Sequence, residues 1–360
     1  MSDIAGRVSG RFSGRRDAVT MKGRDRVTAM DVAALAGVSQ SAVSRVFTPG
    51  ASASKATVAK VMKASAELGY RPNILARSLI TGRSRIVGVA LSYLDNQFYP
   101  EALERFSAAF QEAGYHILLF LLPRAGAEAD LMLEQLLDYQ ADGMILASVG
   151  LSDELAARCE AAGLPVVLFN RGQEAEGLSQ VTSDNRRGGA EIARFLVAGG
   201  HCRIAQITGA LRSMTGRDRD AGFRDGLRAA GAELWRSECG AYDRERAIAA
   251  ARLLCDGSER PDAIFVGNDH MAFAVIDTLR HDLGIDIPGE ISVIGFDNVG
   301  PAAWRGYDLT TWRQPSEQMV GAAVGTLLRQ IADPAAPPVK LEVPGELILR
   351  GSARRPVTWP

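Results

Sequence analysis

A chain of 360 residues, 47% apolar and 23% charged, can bury a large core and is long enough for more than one domain. The net charge of −1 hides an asymmetry: residues 1 to 85 hold 15 Lys and Arg against 5 Asp and Glu, and the remainder holds 26 against 37. That balance argues against a uniformly acidic or basic protein and fits a phosphate-binding module on a soluble acidic body, while the lack of any apolar run near the ~18 residues of a membrane span argues against a membrane protein.

Residues 1–26 carry Arg7, Arg11, Arg15, Arg16, Lys22, Arg24 and Arg26 with no packing pattern and no apolar signal core. A disordered basic tail is expected there, able to add nonspecific phosphate contacts.

Between Thr28 and Thr48 two short helical patterns meet at Gly37, the spacing of a helix-turn-helix. Thr28 can cap the first helix, with Asp31 placed to complete a capping box, and Ser39 can cap the second. At 100° per residue, Gln40, Ser41, Ser44, Arg45 and Thr48 share one arc of the second helix, opposite Val43, Val46 and Phe47. The polar arc holds a guanidinium, a carboxamide and hydroxyls but no acid, the set suited to base edges and phosphates in a major groove. A third helix is expected from a Ser54 cap to Gly69, with Val58, Val61, Met62, Ser65 and Leu68 as its packing stripe. A short segment between Pro72 and Gly82 is helix-capable but too short to be stable alone.

From Arg85 the period changes. Continuous apolar runs at Ile86–Leu91, His116–Leu122, Met144–Ala147 and Pro165–Phe169 alternate with helical patterns at Pro100–Gly114, Ala127–Tyr139 and Asp153–Gly163. The rhythm restarts with strands at Arg203–Thr208, Ala263–Gly267 and Ile291–Phe296 and helices at Asn185–Ala198, Thr215–Gly231, Arg244–Asp256 and Asp269–Leu283. Strands without polar alternation are buried on both faces, so two doubly wound parallel sheets are expected. Cys159, Cys202, Cys239 and Cys255 form no CxxC pair and are expected to be buried thiols in a reducing cytoplasm.

The order DVAALAGVS, SRVF, ELGYRPN, ARSL and RIVGV resembles the lactose/galactose-repressor (LacI/GalR) family of bacterial transcription regulators, over about Val27 to Arg350. The resemblance implies an all-α helix-turn-helix DNA-binding domain at 27–71, a hinge helix and linker at 72–84, and a two-lobed periplasmic-binding-protein-like α/β core at 85–350, with 351–360 as a tail. Lobe 1 is expected at about 85–182 and 315–335, and lobe 2 at about 183–312 and 339–350. The implied crossings lie near Val181–Asp184, Thr311–Pro315 and Ala335–Val339; helix Ser316–Ala332 returns to the first lobe and strand Glu346–Leu349 to the second. Family members usually begin just after Met21, so residues 1–20 are either a dispensable tail or a misread start.

The same resemblance implies a ligand-controlled repressor that binds a near-palindromic operator in double-stranded DNA as a homodimer, with helix Glu101–Gln111 in the dimer contact. No leucine heptad follows residue 350, so tail-mediated tetramers are not expected. Candidate DNA contacts are Thr28, Ser39, Gln40, Ser41, Ser44, Arg45 and Thr48, joined in the hinge by Asn73, Ala76, Arg77 and the minor-groove wedge Leu79. The effector, expected to be a carbohydrate or derivative, is sought beyond the carboxyl ends of the strands. Candidates there are Asp95, Asn96, Phe98, Asn170 and Arg171 from the first lobe, Thr215, Arg219, Tyr242, Asn268 and Asp297 from the second, and Gln314 at a crossing. Amides, a carboxylate, an arginine fork and aromatic faces are what polyol recognition requires. Asp269 is expected to cap the helix after it, and Trp304 is a further stacking candidate.

An enzyme is not expected. The sequence has no GxGxxG after a strand, no GxxxxGK[ST], no GxSxG and no HExxH, and His116, His201, His270 and His281 show no ligand spacing. No cofactor or metal is called for. A sugar-binding transport component would share the two lobes but has no use for residues 27–82, and a nucleotide-type enzyme would need the missing phosphate loop.

Overall fold

The computed structural model describes residues 27–48, 51–71, 83–92, 94–122, 139–173 and 177–359. The basic tail 1–26, the hinge positions Asn73, Ala76, Arg77 and Leu79, and most of the helix expected at Ala127–Tyr139 lie outside those residues. The chain forms two units, divided between residues 77 and 78.

The described residues of the first unit form three helices, α1 (Ala29–Ala36), α2 (Gln40–Val46) and α3 (Lys55–Leu68). Thr28 and Asp31 close the expected capping box on α1, and Gly37 ends it at φ +64°, a left-handed conformation that costs a Cβ-bearing residue about 1 kcal/mol or more. Ser39 and Ser54 each accept a backbone N–H at the starts of α2 and α3. Val32, Ala33, Ala36, Val43, Val61 and Ala64 form the core, with Val46, Phe47, Leu68 and Tyr70 packed around it. The stripe on α3 is shifted from the expected one: Val61 and Ser65 are buried as expected and Ala64 joins them, whereas Val58 and Met62 are 36% and 51% exposed.

The second unit contains two six-stranded sheets built on one plan. The first runs β11 (Lys340–Val343), β5 (Ser179–Ser183), β4 (Val166–Phe169), β3 (Gly143–Ala147), β1 (Ile86–Leu91), β2 (His116–Leu121). The second runs β12 (Glu346–Ile348), β10 (Thr310–Arg313), β9 (Ser292–Asp297), β8 (Ala263–Val266), β6 (Ile204–Thr208), β7 (Arg236–Cys239). Among the described residues every pairing is parallel except β10 with β12, so the second sheet has one antiparallel edge rather than being wholly parallel.

Among the described residues this unit also contains helices α4 (Phe98–Glu112), α5 (Asp153–Ala161), α6 (Asn185–Ala198), α7 (Met214–Ala229), α8 (Arg244–Cys255), α9 (Asp269–Asp277) and α10 (Ser316–Ala332). α9 ends six residues short of the expected Leu283, where the backbone widens into a π turn at Thr278–Asp282. α10 packs on α4, β3, β4 and β5, as expected of a helix that returns to the first lobe.

The last crossing is not where the sequence suggested. Residues 335–339 lead into β11, which pairs with β5 in the first sheet, and the chain passes to the second sheet only through Pro344 and Gly345. Two segments expected to be crossings are strands: β5 precedes the first crossing at Asp184, and β10 precedes the second at Gln314 and Pro315. Cys159 and Cys255 are buried as expected, whereas Cys202 and Cys239 are exposed, one after α6 and the other at the end of edge strand β7.

Candidate functional site

On α2, Gln40, Ser41, Ser44 and Arg45 are exposed and Thr48 is half-buried, while Val43 on the opposite side is 1% exposed. Arg45 Nε donates to Ser41 O at 3.3 Å and Thr48 Oγ1 to Ser44 O at 2.8 Å, which lays both side chains along the helix. Ser39 Oγ, besides capping Ala42 N, lies 2.9 Å from Ser41 Oγ. α2 therefore presents one positive charge and a row of hydroxyl and amide groups, held on a packed three-helix frame. Thr28 is engaged by its own capping box.

In the second unit a cleft open to solvent lies where the carboxyl ends of strands from both sheets face each other. Asn96 comes from the loop after β1, Asn170 and Arg171 from the end of β4, Thr215 and Arg219 from α7, Tyr242 from the loop after β7, Asn268 from the end of β8 and Asp297 from the end of β9. All eight were expected there. Five cleft residues, Ser148, Asn170, Ala241, Tyr242 and Asp297, hold positive φ without being glycine. Such strain persists only where the surroundings over-determine it, and it concentrates at functional sites.

Arg219 and Asp297 organise the floor. Arg219 is 5% exposed; its Nη2 donates to Asn185 Oδ1 at 2.8 Å, its Nη1 to Gly267 O, and its Cζ lies 3.4 Å from the centroid of the Phe296 ring. A desolvated cation over an aromatic face is worth about 2 kcal/mol. Asp297 Oδ2 accepts from Asn96 Nδ2 at 3.0 Å, and Oδ1 from Gln314 Nε2 at 2.6 Å, so one carboxylate ties the first lobe and a crossing to the second. Burial pushes the Asp297 carboxyl above the usual carboxylate range, and Arg219 with the Asn96 and Gln314 hydrogen bonds opposes that rise.

Asn170 Nδ2 donates to Tyr99 Oη at 3.4 Å, while its buried Oδ1 has no hydrogen-bond donor among the described residues. A buried acceptor without a donor is uncommon in a folded protein, and this one belongs to a residue that lines the cleft.

Three expected residues do not line the cleft. Phe98 is 2% exposed and stacks on Phe169, with ring centroids 6.1 Å apart; its neighbour Tyr99 faces the cleft instead. Gln314 supports Asp297 from behind, and Asp95 is exposed on the loop. Trp304 is 62% exposed and also outside the lining. The cap on α9 is Asn268, whose Oδ1 accepts from Met271 N at 3.0 Å; Asp269, expected to cap, is instead fully buried and accepts from Val299 N and Thr311 Oγ1. Burial and the nearby Asp297 charge push the Asp269 carboxyl up.

The cleft also uses residues that were not expected: Ser92, Ser148, Ala210, Arg212, Ser213 and Ala241. Each lies in a loop after a strand or at the start of α7. Among the described residues no group of three His, Cys, Asp or Glu could hold a metal, and no helix is long and apolar enough to cross a membrane.

A helix-turn-helix unit joined to a two-lobed core with a polar cleft defines the class: DNA-binding regulators answering to a small molecule. Residues 28–73 match the model for bacterial regulatory proteins of the lacI family, and residues 193–353 match a periplasmic binding protein-like domain. The chain is 33% identical over 341 residues to the transcriptional regulator CelR of Thermobifida fusca, covering 92% of this chain and 100% of that one. It is 32% identical over 332 residues to the ribose operon repressor of Escherichia coli, and 30% identical over 332 residues to the transcriptional repressor PurR of Vibrio vulnificus, covering in each case 91% of this chain and 99% of the relative. Among solved structures, the lac repressor dimer bound to operator and an anti-inducer superposes with a TM-score of 0.82 at 27% identity, covering 91% of this chain and 99% of that one. The CelR–cellobiose complex does so with a TM-score of 0.69 at 32% identity, covering 91% and 100%.

The chain belongs to the lacI family of bacterial transcription regulators. It is a DNA-binding regulator and not an enzyme.

Proposed function

We propose that this regulator is a repressor that binds a near-palindromic operator as a homodimer in the cytoplasm and is controlled by a carbohydrate-class effector held in the cleft. Gln40, Ser41, Ser44 and Arg45 read base edges or phosphates from the exposed face of α2, while Thr28, Ser39 and Thr48 steady the approach. The domain limits follow the same plan: 27–71 grips DNA, 72–84 links, and 85–350 binds effector and partner. Asn73, Ala76, Arg77 and Leu79, in the linker outside the described residues, are assigned to the minor groove by family resemblance alone. In the core, Asn96, Asn170, Arg171, Thr215, Arg219, Tyr242, Asn268 and Asp297 hold the effector.

The observation that carries this reading is the Asn96–Asp297 hydrogen bond across the lobes at the bottom of the cleft. A ligand hydroxyl that donates to Asp297 competes with Asn96, so occupancy and lobe arrangement are coupled. That the relatives include a cellobiose complex and a ribose operon repressor supports the carbohydrate class.

Nuclease footprinting of the purified chain on DNA from its own promoter region tests the reading. Protection of one palindromic segment, with half-sites about one helical turn or a multiple apart, is expected. Uniform or absent protection at low ionic strength would sink it.

A further inference from the structure

At the end of β9 the chain makes a turn that few side chains tolerate. Asp297 and Asn298 follow one another at φ +131° and +58°, and neither is glycine. Asparagine enters the left-handed region more readily than most residues, but +131° lies beyond even that region. Two consecutive residues in such conformations persist only where the surroundings over-determine them. The direction of the Asp297 carboxylate, which Asn96 and Gln314 engage at the bottom of the cleft, depends on this turn.

The groups that hold it come from two sides. At the start of α9, Asp269 Oδ2 accepts from Val299 N at 3.0 Å and Oδ1 from Thr311 Oγ1 of β10 at 2.6 Å. The carboxyl reaches that far because residue 295 is glycine: a Cβ there would lie 2.2 Å from Asp269 Oδ1. On the other side, after β12, Arg350 Nη2 donates to Asn298 Oδ1 at 2.7 Å and Nη1 to Leu309 O at 2.7 Å. The base of the arginine is fastened too, its backbone N donating to Thr310 Oγ1 at 2.9 Å. One prong of the planar guanidinium therefore rests on the approach to β10 and the other on the turn, a division that the fixed fork of arginine allows and a single ammonium does not. Asn298 and Arg350 are half-buried, and neither lines the cleft.

We propose that Arg350 is a positioning residue of the effector site: it grips Asn298 so that the turn aims the Asp297 carboxylate at a ligand in the cleft, while touching no ligand itself. This rests on Asp297 being an effector contact. A carboxylate already aimed need not be ordered when the ligand arrives, so the tether raises affinity by preorganisation. Both attachments also adjoin crossings between the lobes. Gln314 sits at the second, and Arg350 follows the third through β12, so a shift of the lobes about the crossings reaches the aim of Asp297.

Asn298→Gly separates aiming from folding, because glycine takes a positive φ without strain and Asp269 still holds Val299, while the tether is gone. Three readouts on the full chain are compared in wild type, Asn298→Gly, Arg350→Met and the double variant: thermal unfolding, the side-chain amide signals of Asn96 in 15N-labelled protein, and calorimetric titration with ribose, glucose and cellobiose. Asn96 Nδ2 donates to Asp297 Oδ2, so its signals report where the carboxylate points without any ligand. In both single variants those signals are expected to move toward free-amide positions, and a sugar that binds wild type is expected to bind about three- to tenfold more weakly. Asn298→Gly is expected to melt within about 4 °C of wild type. The double variant is expected to lose no more affinity than the worse single one, since both remove the same hydrogen bond, and Arg350→Lys to recover part of the loss. Unmoved Asn96 signals in the single variants overturn the proposal whether or not a sugar binds, and so do additive losses in the double variant. If none of the three sugars binds wild type, the Asn96 signals decide. Sugar affinity unchanged in Asp297→Asn, with the Asn96 signals of the tether variants still moved, would instead remove Asp297 from the effector site and the role of Arg350 with it.

Discussion

Arg45 is the single charged side chain on α2, exposed on the face opposite the packed Val43, and its guanidinium is steered along the helix by Ser41 O. Replacing it with alanine removes no core contact, so the loss falls on DNA binding alone. Arg45→Ala is expected to weaken operator binding by about 1–3 kcal/mol and relax preference at one base pair, measured by competition against single-substitution operators. An equal loss on every sequence would make Arg45 a phosphate contact. Asp269 is the opposite case, a carboxyl buried with Asp297 nearby and pushed up by burial first and by that neighbour second. A raised folded-state value means the group favours folding below its unfolded value of about 3.9 and withdraws that support as pH climbs through the folded one. Asp269→Asn keeps the acceptor for Val299 N and can reverse the Thr311 hydrogen bond, while having no charge to bury. The gap in melting temperature, variant minus wild type, is expected to widen as pH rises from acid to neutral; a gap independent of pH would show that Asp269 is not the strained group.

At the scale of elements, α6 and α7 lie so close that side chains are excluded between them. A Cβ on Gly222 would come within 2.1 Å of Arg186 O, and one on Gly226 within 2.7 Å of Ala190 Cα, both backbone atoms that cannot swing away. Since α7 carries Thr215 and Arg219 into the cleft, this contact also sets the site's geometry. Gly222→Ala is expected to destabilise the core by about 1–3 kcal/mol as overpacking does. Gly321→Ala on α10, with nothing within 4 Å, is expected to be neutral or to gain up to about 1 kcal/mol of helix propensity. Chemical denaturation of both variants checks the pair, and similar losses in the two would refute the packing argument. The elements that could be read from the chain were those with a continuous apolar run or a strong cap: β1, β3, β4, β6, β8 and β9 all emerge within a residue or two of expectation. β5, β7, β10 and β11 did not. Ser-Gln-Val-Thr-Ser owes its place in the sheet to hydrogen bonding, with Ser179 Oγ accepting from Val339 N and Gln330 Nε2, and the edge strands Arg-Ser-Glu-Cys and Lys-Leu-Glu-Val carry too little apolar character to signal a strand. Missing β11 is what moved the final crossing.

Over the whole molecule, most of the cleft was legible because one rule, ligands beyond the carboxyl ends of strands, applies to both lobes. Ser148 after β3 and Ala210 after β6 carry no such signal in the sequence, because small residues there offer backbone and space rather than a recognisable reagent. Arg212 and Ser213 were missed because α7 was expected to begin at Thr215, when Ser213 is its cap. Phe98 was expected in the cleft because sequence gives its ring no orientation, whereas the helix buries it against Phe169 and turns the adjacent Tyr99 to Asn170. What no single position could reveal is the coupling of the lobes through Asn96, Asp297 and Gln314, groups distant in sequence that converge on one carboxylate. The most direct measurement of that coupling is operator affinity of the full chain, titrated with and without a saturating cleft ligand at fixed salt. A change of about 5- to 150-fold, the span of 1–3 kcal/mol of coupling, is expected, with ligand affinity changing by the same factor when operator is present. Tight binding of both operator and ligand with neither affecting the other would contradict it.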